Sequence, residues 1–225
     1  MKTFLALAIL LVGFTFASAQ GELAPILEKE VKYKDWTYKN VRDDKQTNLR
    51  DFAKNKKLVM VVYFAPWCPN WSNEAPVAQR LYDKYKANGF DVIGVGEYDT
   101  VAAMKTSLDA KKITFPVVYE SDTKAAKQKT LHYEYRKSAG DTRGWGSPWN
   151  IFIAPKNIEK KGDVLLKKAF VVNGEIIEAE VEKFIRQSLG LPAENVKAEN
   201  SADKIIEACE TEKKITALRK PAPRR

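Results

Sequence analysis

The chain has 225 residues, of which 38 are lysine or arginine and 29 are aspartate or glutamate, so its formal net charge is +9. Basic and acidic residues are interspersed through most of the sequence, which indicates a solvated surface and argues against a nucleic-acid-binding patch. Two cysteines are too few for a disulfide-stapled scaffold, so the chain must fold around a hydrophobic core.

The first 19 residues have the composition of a secretory signal peptide. Lys2 supplies a positive charge, residues 4–16 are apolar, and residues 17–19 are the small residues Ala-Ser-Ala that precede cleavage sites. The apolar run is shorter than the roughly 20 residues that span a bilayer. We therefore predict cleavage, export to the periplasm or the exterior, and no stable membrane span in the mature chain; retention of this segment as an anchor stays open.

The order of the predicted elements defines the fold class. Hydrophobic periodicity predicts, after a polar lead-in over 20–35, an alternating stretch at 36–41, a short helix or turn near 49–52, a strand at 58–64, a helix ending near 88, a strand at 90–95, a helix at 101–111, a strand at 113–119, a helix at 123–136, two hairpin strands at 148–154 and 164–172, and a helix at 177–189. This order predicts an α/β fold with a mixed central sheet and helices on both faces.

The mature chain divides into two predicted segments. Residues 20–190 form one domain, and residues 191–225 form a polar C-terminal extension that ends in Arg224 and Arg225. A basic, proline-containing tail is typical of a solubilising terminus, and attraction to an anionic partner is the alternative.

The segment 64–71, Phe-Ala-Pro-Trp-Cys-Pro-Asn-Trp, connects a predicted buried strand to a predicted helix. A cysteine at the start of a helix faces unpaired backbone N–H groups and the positive end of the helix dipole, and both favour the thiolate. Pro69 suits the first helical position because its missing donor would be unpaired there. Cys68 is therefore the candidate catalytic nucleophile.

This loop resembles that of the thioredoxin superfamily, and more narrowly that of exported TlpA-like and ResA-like disulfide reductases and their redoxin relatives. Cys68 is followed six and eight positions later by Glu74 and Pro76, which is similar to the family pattern Trp-Cys-x-x-Cys-x-x-Glu-x-Pro. Residues 115–118 (Phe-Pro-Val-Val) and 146–153 (Gly-Ser-Pro-Trp-Asn-Ile-Phe-Ile) resemble two further family segments.

The resemblance implies a thioredoxin-like fold in which Pro148 is a cis-proline beside Cys68. It also implies that Ser147 and Pro148 position the backbone of a substrate. Protein or small-molecule thiols and disulfides would be the partners, and thiol exchange requires no cofactor. The oligomeric state stays open.

The departure from the family lies at Trp71, which stands where the second cysteine is expected. A dithiol enzyme uses that second cysteine to release the mixed disulfide, so release here must come from another thiol or from Cys209, the possible resolving cysteine. Val62 occupies the position of the buried acid of thioredoxin, which leaves Glu74 as the candidate carboxylate for proton handling, or as an ordinary first-turn glutamate.

Three hypotheses follow for the function. The first is monothiol thiol–disulfide exchange through Cys68, and the second is an inactive binding module whose groove is lined with tryptophans. The tryptophans concerned are Trp67, Trp71, Trp145 and Trp149. The third and weaker hypothesis is a peroxiredoxin-type peroxidase, whose proline and threonine or serine are replaced here by Val61 and Ala65. No metal site is predicted, because copper-carrying relatives need a second cysteine and a distal histidine.

Overall fold

The computed structural model describes residues 22–192. The predicted signal peptide, Cys209 and nearly all of the C-terminal extension lie outside these residues. The elements in chain order are β1 (Leu23–Ala24), β2 (Leu27–Lys34), β3 (Thr37–Asn40), β4 (Gln46–Asn48), α1 (Leu49–Ala53), β5 (Leu58–Phe64), α2 (Pro69–Tyr85), β6 (Phe90–Gly96), α3 (Val101–Ala110), β7 (Val117–Tyr119), α4 (Leu131–Ser138), β8 (Trp149–Ile153), β9 (Val164–Val172), β10 (Glu175–Ile176) and α5 (Glu178–Leu189). None of the described helices is both long enough and apolar enough to cross a bilayer.

Eight strands form one mixed sheet in the order β2-β9-β8-β5-β6-β7-β3-β4. The strands β5, β6 and β7 are parallel, as helical crossovers require, whereas β8 is antiparallel to both β5 and β9. The short strands β1 and β10 pair separately. The antiparallel pairing of β8 with β9 confirms the hairpin predicted for residues 148–154 and 164–172.

The central strand β5 shows why both faces of the sheet are covered. All seven of its residues are buried, and its side chains alternate between the two hydrophobic clusters of the core. The helices α2, α3 and α5 contribute buried side chains to one cluster, whereas α1 and α4 contribute to the other. The predicted α/β fold with helices on both faces is confirmed.

The polar lead-in predicted for residues 20–35 is wrong, because Leu27–Lys34 forms β2 at the edge of the sheet. The strand pairs with β9, and only Val31 and Tyr33 point into the core, at 1% and 0% exposure. Its remaining side chains are lysines, glutamates and a half-exposed leucine. A one-sided edge strand of this composition has too few apolar residues to be distinguished from a loop by periodicity.

The helix predicted for residues 123–136 is shorter than expected. Residues Lys124–Ala126 form a single 3₁₀ turn, and α4 starts only at Leu131. Thr130 defines this start, because its side chain accepts a hydrogen bond from the backbone N–H of Tyr133 at 3.1 Å and so caps the helix. The two helical pieces are therefore separated by a short connecting loop.

The two-sided burial of the sheet predicts a sharp contrast between two leucine truncations. Leu165 in β9 is fully buried, whereas Leu23 in β1 is 62% exposed. Leu165→Ala should lower the free energy of unfolding by about 2–5 kcal/mol, and the matched control Leu23→Ala by less than about 0.5 kcal/mol. Urea unfolding curves measure both, and equal effects of the two substitutions would contradict the described core.

Candidate active site

Cys68 is the residue that precedes the first turn of α2. Its backbone is extended, with φ −75° and ψ 126°, and Pro69 follows as the first helical residue. The sulfur atom therefore lies beside the N-terminal end of a helix of 17 residues. Cys68 is 8% exposed, and its Sγ donates a hydrogen bond to the carbonyl oxygen of Ser147 at 3.2 Å.

The loop that faces Cys68 ends in a cis peptide bond between Ser147 and Pro148, as the resemblance implied. The side-chain oxygen of Ser147 accepts a hydrogen bond from the backbone N–H of Ala65 at 2.9 Å. The backbone carbonyl oxygen of Ser147 accepts the hydrogen bond from the Cys68 thiol. Ser147 therefore connects the two loops through two different atoms. The structure brings together three of the predicted site residues, namely Cys68, Ser147 and Pro148.

Trp71 and Trp149 belong to the hydrophobic core, contrary to their predicted place in a substrate groove. Both are 0% exposed. The ring of Trp71 stacks on Phe64 with centroids 4.2 Å apart, and the indole N–H of Trp149 donates to Asn173 Oδ1 at 2.8 Å. A fully buried ring presents no face to a substrate, so only Trp67 and Trp145 remain of the predicted aromatic surface.

Glu74 is buried like Trp71, one helical turn further along α2, and is 1% exposed. Its Oε2 accepts hydrogen bonds from the backbone N–H of Ile176 at 2.9 Å and from Asn150 Nδ2 at 3.2 Å. Burial raises the pKa of Glu74 to about 8, although these two hydrogen bonds oppose the shift. The carboxyl is therefore protonated at neutral pH, and its described hydrogen bonds lead to β8 and β10 rather than to Cys68.

His132 is a buried residue of the site that the sequence did not reveal. Its Nε2–H donates to the carbonyl oxygen of Gly146 at 3.1 Å, which leaves Nδ1 to accept from the hydroxyl of Tyr98 at 2.9 Å. The ring also stacks on Tyr63 at 4.9 Å. Burial, together with the positive charge of Arg136, lowers the pKa of His132 well below its ordinary value, so the ring is neutral. No local pattern around His132 indicates this role, because its side-chain hydrogen-bond partners are distant in sequence.

Two arginines hold the loop between α4 and β8. The buried guanidinium of Arg136 donates to the carbonyl oxygens of Arg143 and Gly144 at 2.7 and 3.0 Å. Arg143 pairs with Asp141 at 2.8 Å and donates to the carbonyl oxygen of Pro148 at 2.8 Å. These contacts fix the backbone on both sides of the cis peptide bond, while the Ser147 carbonyl faces the thiol.

Cys68 is the one cysteine within residues 22–192, and its sulfur forms no disulfide bond. The possible resolving residue Cys209 lies outside them. Within residues 22–192, no three histidine, cysteine, aspartate or glutamate side chains are grouped as metal ligands would be.

Comparison with known proteins gives one family and several relatives. A sequence model of the AhpC/TSA family matches residues 30–160. The thiol-disulfide oxidoreductase ResA of Bacillus cereus is 29% identical over 82 residues, which are 36% of this chain and 46% of ResA. The chloroplastic phospholipid hydroperoxide glutathione peroxidase 1 of Arabidopsis thaliana is 25% identical over 183 residues, which are 77% of this chain and 75% of that protein.

A solved structure gives the fold. The thiol:disulfide interchange protein of the thioredoxin family from Chlorobium tepidum TLS aligns with a TM-score of 0.50 and 20% identity, covering 72% of this chain and 98% of that one. This likeness supports the thioredoxin-like fold predicted from the sequence. The chain spans less than half the length of the ResA protein it matches, so that match concerns only part of ResA.

The raised pKa of Glu74 predicts a pH-dependent stability. An unfolded chain ionises this carboxyl near pH 4.5 and the folded chain only near pH 8, so the folded state loses stability as the pH rises through that interval. Glu74→Gln removes the ionisation and keeps an oxygen for Ile176 and Asn150. The free energy of unfolding of this variant, relative to the parent, should therefore rise by up to about 1.4 kcal/mol per pH unit.

Urea unfolding at about pH 5 and about pH 8 measures this difference. Glu182→Gln is the matched control. Although burial raises the pKa of Glu182, its bonds to Lys84 and Tyr85 outweigh burial and lower the pKa, so this side chain is ionised throughout the interval. The effect of the control should not change with pH. Parallel pH curves for the parent and Glu74→Gln would contradict the protonated state of Glu74.

Proposed function

The chain belongs to the AhpC/TSA family, and from that premise we propose that it is an exported thioredoxin-fold protein that exchanges thiols and disulfides through the single cysteine Cys68. The observation that carries the proposal is the position of Cys68 Sγ, at the start of α2 and 3.2 Å from the carbonyl that precedes the cis-proline. A nucleophile at this position benefits from a facing loop that can align a second chain.

The exchange conserves both atoms and electrons. The sulfur of Cys68 attacks one sulfur of a substrate disulfide, a new S–S bond forms, and the other substrate sulfur leaves as a thiolate that takes up the proton lost by Cys68. A second thiol, from a protein or a small molecule, then attacks the mixed disulfide and restores the Cys68 thiol. This thiol ends in a disulfide with the substrate sulfur. When a further thiol attacks that disulfide, both substrate sulfurs are free thiols and the two incoming thiols are joined in a disulfide.

The indole at Trp71 carries no thiol, so this second thiol comes from outside the active-site loop. Cys209 is one proposed source within the chain. A Cys68–Cys209 disulfide peptide, found in oxidised protein or trapped during turnover, would support that route. The absence of this peptide from both samples would leave release to a partner thiol.

Glu74 is proposed as a positioning residue. Its carboxyl connects α2, which begins next to Cys68, to Asn150, which lies two residues after Pro148. The uncharged carboxyl joins α2 to β8 by this hydrogen bond. It would therefore hold the Cys68 sulfur and the cis-proline in a constant relative position.

The proposal also covers the remaining segments and the location of the protein. Residues 1–19 are proposed to be a cleaved signal peptide, residues 20–190 the redoxin domain, and residues 191–225 a polar extension with a basic end. The charged and apolar pattern of the first 19 residues supports export to the periplasm or the exterior. An oxidising compartment is also where a disulfide-exchange protein finds its substrates.

A second candidate function is a binding module that no longer turns over. The observation in its favour is the 8% exposure of Cys68, whose thiol is engaged with the Ser147 carbonyl as a hydrogen-bond donor. A covered, protonated thiol attacks a disulfide slowly. The two functions therefore differ in the rate at which Cys68 reacts in the folded chain.

The rate at which Cys68 attacks a disulfide distinguishes the two functions. In a Cys209→Ser background, Cys68 is the only thiol of the chain. The folded protein should attack a disulfide between a model peptide and a coloured aromatic thiol at least about tenfold faster than the same chain in urea. Mass spectrometry should locate the peptide adduct at Cys68.

The additional variant Cys68→Ser is the control and should release no coloured thiol. A folded chain that reacts more slowly than the unfolded one would contradict exchange and favour the binding module. Consumption of a hydroperoxide instead of the disulfide would move the chemistry to the peroxidase class of the Arabidopsis relative.

Restoring the family's second cysteine tests whether the remaining scaffold is competent. Trp71→Cys should gain reductase activity on insulin disulfides in the presence of a dithiol reductant, because the new thiol lies one turn beyond Cys68 and can release the mixed disulfide. Trp71→Ser is the matched control, since it creates the same cavity beside Phe64 without a thiol. Equal activity of the two variants would show that position 71 supplies no resolving chemistry.

A further inference from the structure

Two tryptophans that remain at the surface lie next to the candidate nucleophile. Trp67 directly precedes Cys68, and Trp145 lies two residues before Ser147. Their rings meet edge to face with centroids 5.1 Å apart, and both are partly buried. This pair therefore joins the two loops that form the site.

The pair is fixed by contacts with Tyr98. The indole N–H of Trp67 donates to the carbonyl oxygen of Tyr98 at 3.4 Å, and the ring of Tyr98 packs against Trp145 at 5.3 Å. Tyr98 is itself fixed, because its hydroxyl bonds to His132 Nδ1 at 2.9 Å. A rigid aromatic surface binds a partner with little loss of conformational entropy.

A lysine ammonium group lies over each of the two indole rings, Trp67 and Trp145. Lys124 Nζ lies 5.0 Å from the centroid of Trp67, and Lys127 Nζ lies 4.2 Å from that of Trp145. Both distances fall within the range of cation–π attraction. We name these four residues, Trp67, Lys124, Lys127 and Trp145, the lysine–tryptophan rim.

The segment that carries the lysines is anchored to the fold. It contains the 3₁₀ turn Lys124–Ala126 and leads into α4. The carboxylate of Glu120 accepts hydrogen bonds from the backbone N–H groups of Leu131 and His132, at 2.5 and 3.1 Å, and so joins the base of this segment to the helix. The lysines therefore project from a defined position rather than from a free tip.

The charges of the rim are not neutralised within the described chain. Over residues 22–192, neither Lys124 nor Lys127 has a carboxylate within ion-pair distance. The acidic residues near them in sequence are Glu120, whose carboxylate is bonded to the start of α4, and the exposed Asp122. An ammonium group has three donors, and its hydrogen bonds to a carboxylate are charge-assisted, so both lysines can take a further anionic partner.

We propose that the lysine–tryptophan rim selects polypeptide disulfides in which an acidic residue lies next to the reacting cysteine. The rings would pack on the substrate chain beside Cys68, and the two ammonium groups would pair with its carboxylates. This inference rests on the proposed exchange at Cys68 and names its substrate class. The charge of the rim is complementary to acidic peptides and repels basic ones.

The test compares two peptides that differ only beside the cysteine. One has aspartate on each side of the cysteine and the other has asparagine, and each forms a disulfide with the same coloured thiol. The second-order rate constant with the Cys209→Ser chain should be about fivefold higher for the acidic peptide at low salt, and this ratio should fall as salt is added. A ratio near one would overturn the proposal.

Two double variants separate the rim from the overall positive charge. Lys124→Gln with Lys127→Gln should bring the ratio of the two rates close to one. The matched control, Lys161→Gln with Lys183→Gln, removes the same charge from two exposed lysines elsewhere and should retain the ratio. Equal loss in both double variants, or retention in the first, would contradict a role of the rim.

A separate measurement distinguishes failure of the rim from failure of the exchange. If neither peptide reacts with Cys68, the proposed exchange is wrong, and binding of the two reduced peptides to the Cys68→Ser variant is then followed by tryptophan fluorescence. Tighter binding of the acidic peptide, lost in the Lys124→Gln and Lys127→Gln background, supports the rim without exchange. Equal binding of both peptides overturns it.

Discussion

The site depends on the antiparallel pairing of β5 with β8. The last residue of β5 in this pairing, Tyr63, lies opposite Trp149, the first residue of β8. Because antiparallel neighbours run in opposite directions, the loop that leaves β5 must meet the loop that enters β8. This pairing brings Cys68 within 3.2 Å of the Ser147 carbonyl, although 79 positions separate the two residues. The helix end, the thiol and the cis-proline therefore form one unit.

Buried polar groups determine the shape of the loop that meets Cys68. His132, Arg136 and Asp141 are almost fully buried, and each has hydrogen-bond or ionic partners in or beside residues 141–148. Gly146 adopts φ +63°, and a Cβ there would lie 2.3 Å from the Arg136 side chain. Because removal of one partner leaves a buried group unpaired, such a network favours a single loop conformation.

Trp71 changes the chemistry of the site without changing its frame. The indole fills space between α2 and the sheet and stacks on Phe64, so it stabilises α2 by packing. The same position can no longer supply a resolving thiol. Glu74, one turn further along the helix, is uncharged and joined to β8 through Asn150. Under the proposed function, the cis-proline loop and the start of α2 would align a substrate disulfide, and an exchange would need another thiol for its completion.

Local sequence patterns were enough to predict the central elements of the sheet and the position of Cys68, the candidate nucleophile. The strand at residues 58–64 was predicted with the bounds found, because a short, valine-rich apolar run between polar segments favours a buried strand. Cys68 was placed at the start of a helix by Pro69 and the periodicity after it. The edge strand β2 was missed because only two of its side chains reach the core. Local sequence pattern therefore predicted an element correctly where most of its residues are buried, as in β5, and failed where only a few are, as in β2.

The tertiary structure alone decided which aromatic and polar residues belong to the site. No local sequence pattern separates the buried tryptophans, Trp71 and Trp149, from the partly exposed ones, Trp67 and Trp145. Their burial depends on strands and helices that are distant along the chain. The raised pKa of Glu74 and the place of His132 beside the cis-proline loop have the same origin. Burial and long-range hydrogen bonds are properties of the packed chain, and no local pattern encodes them.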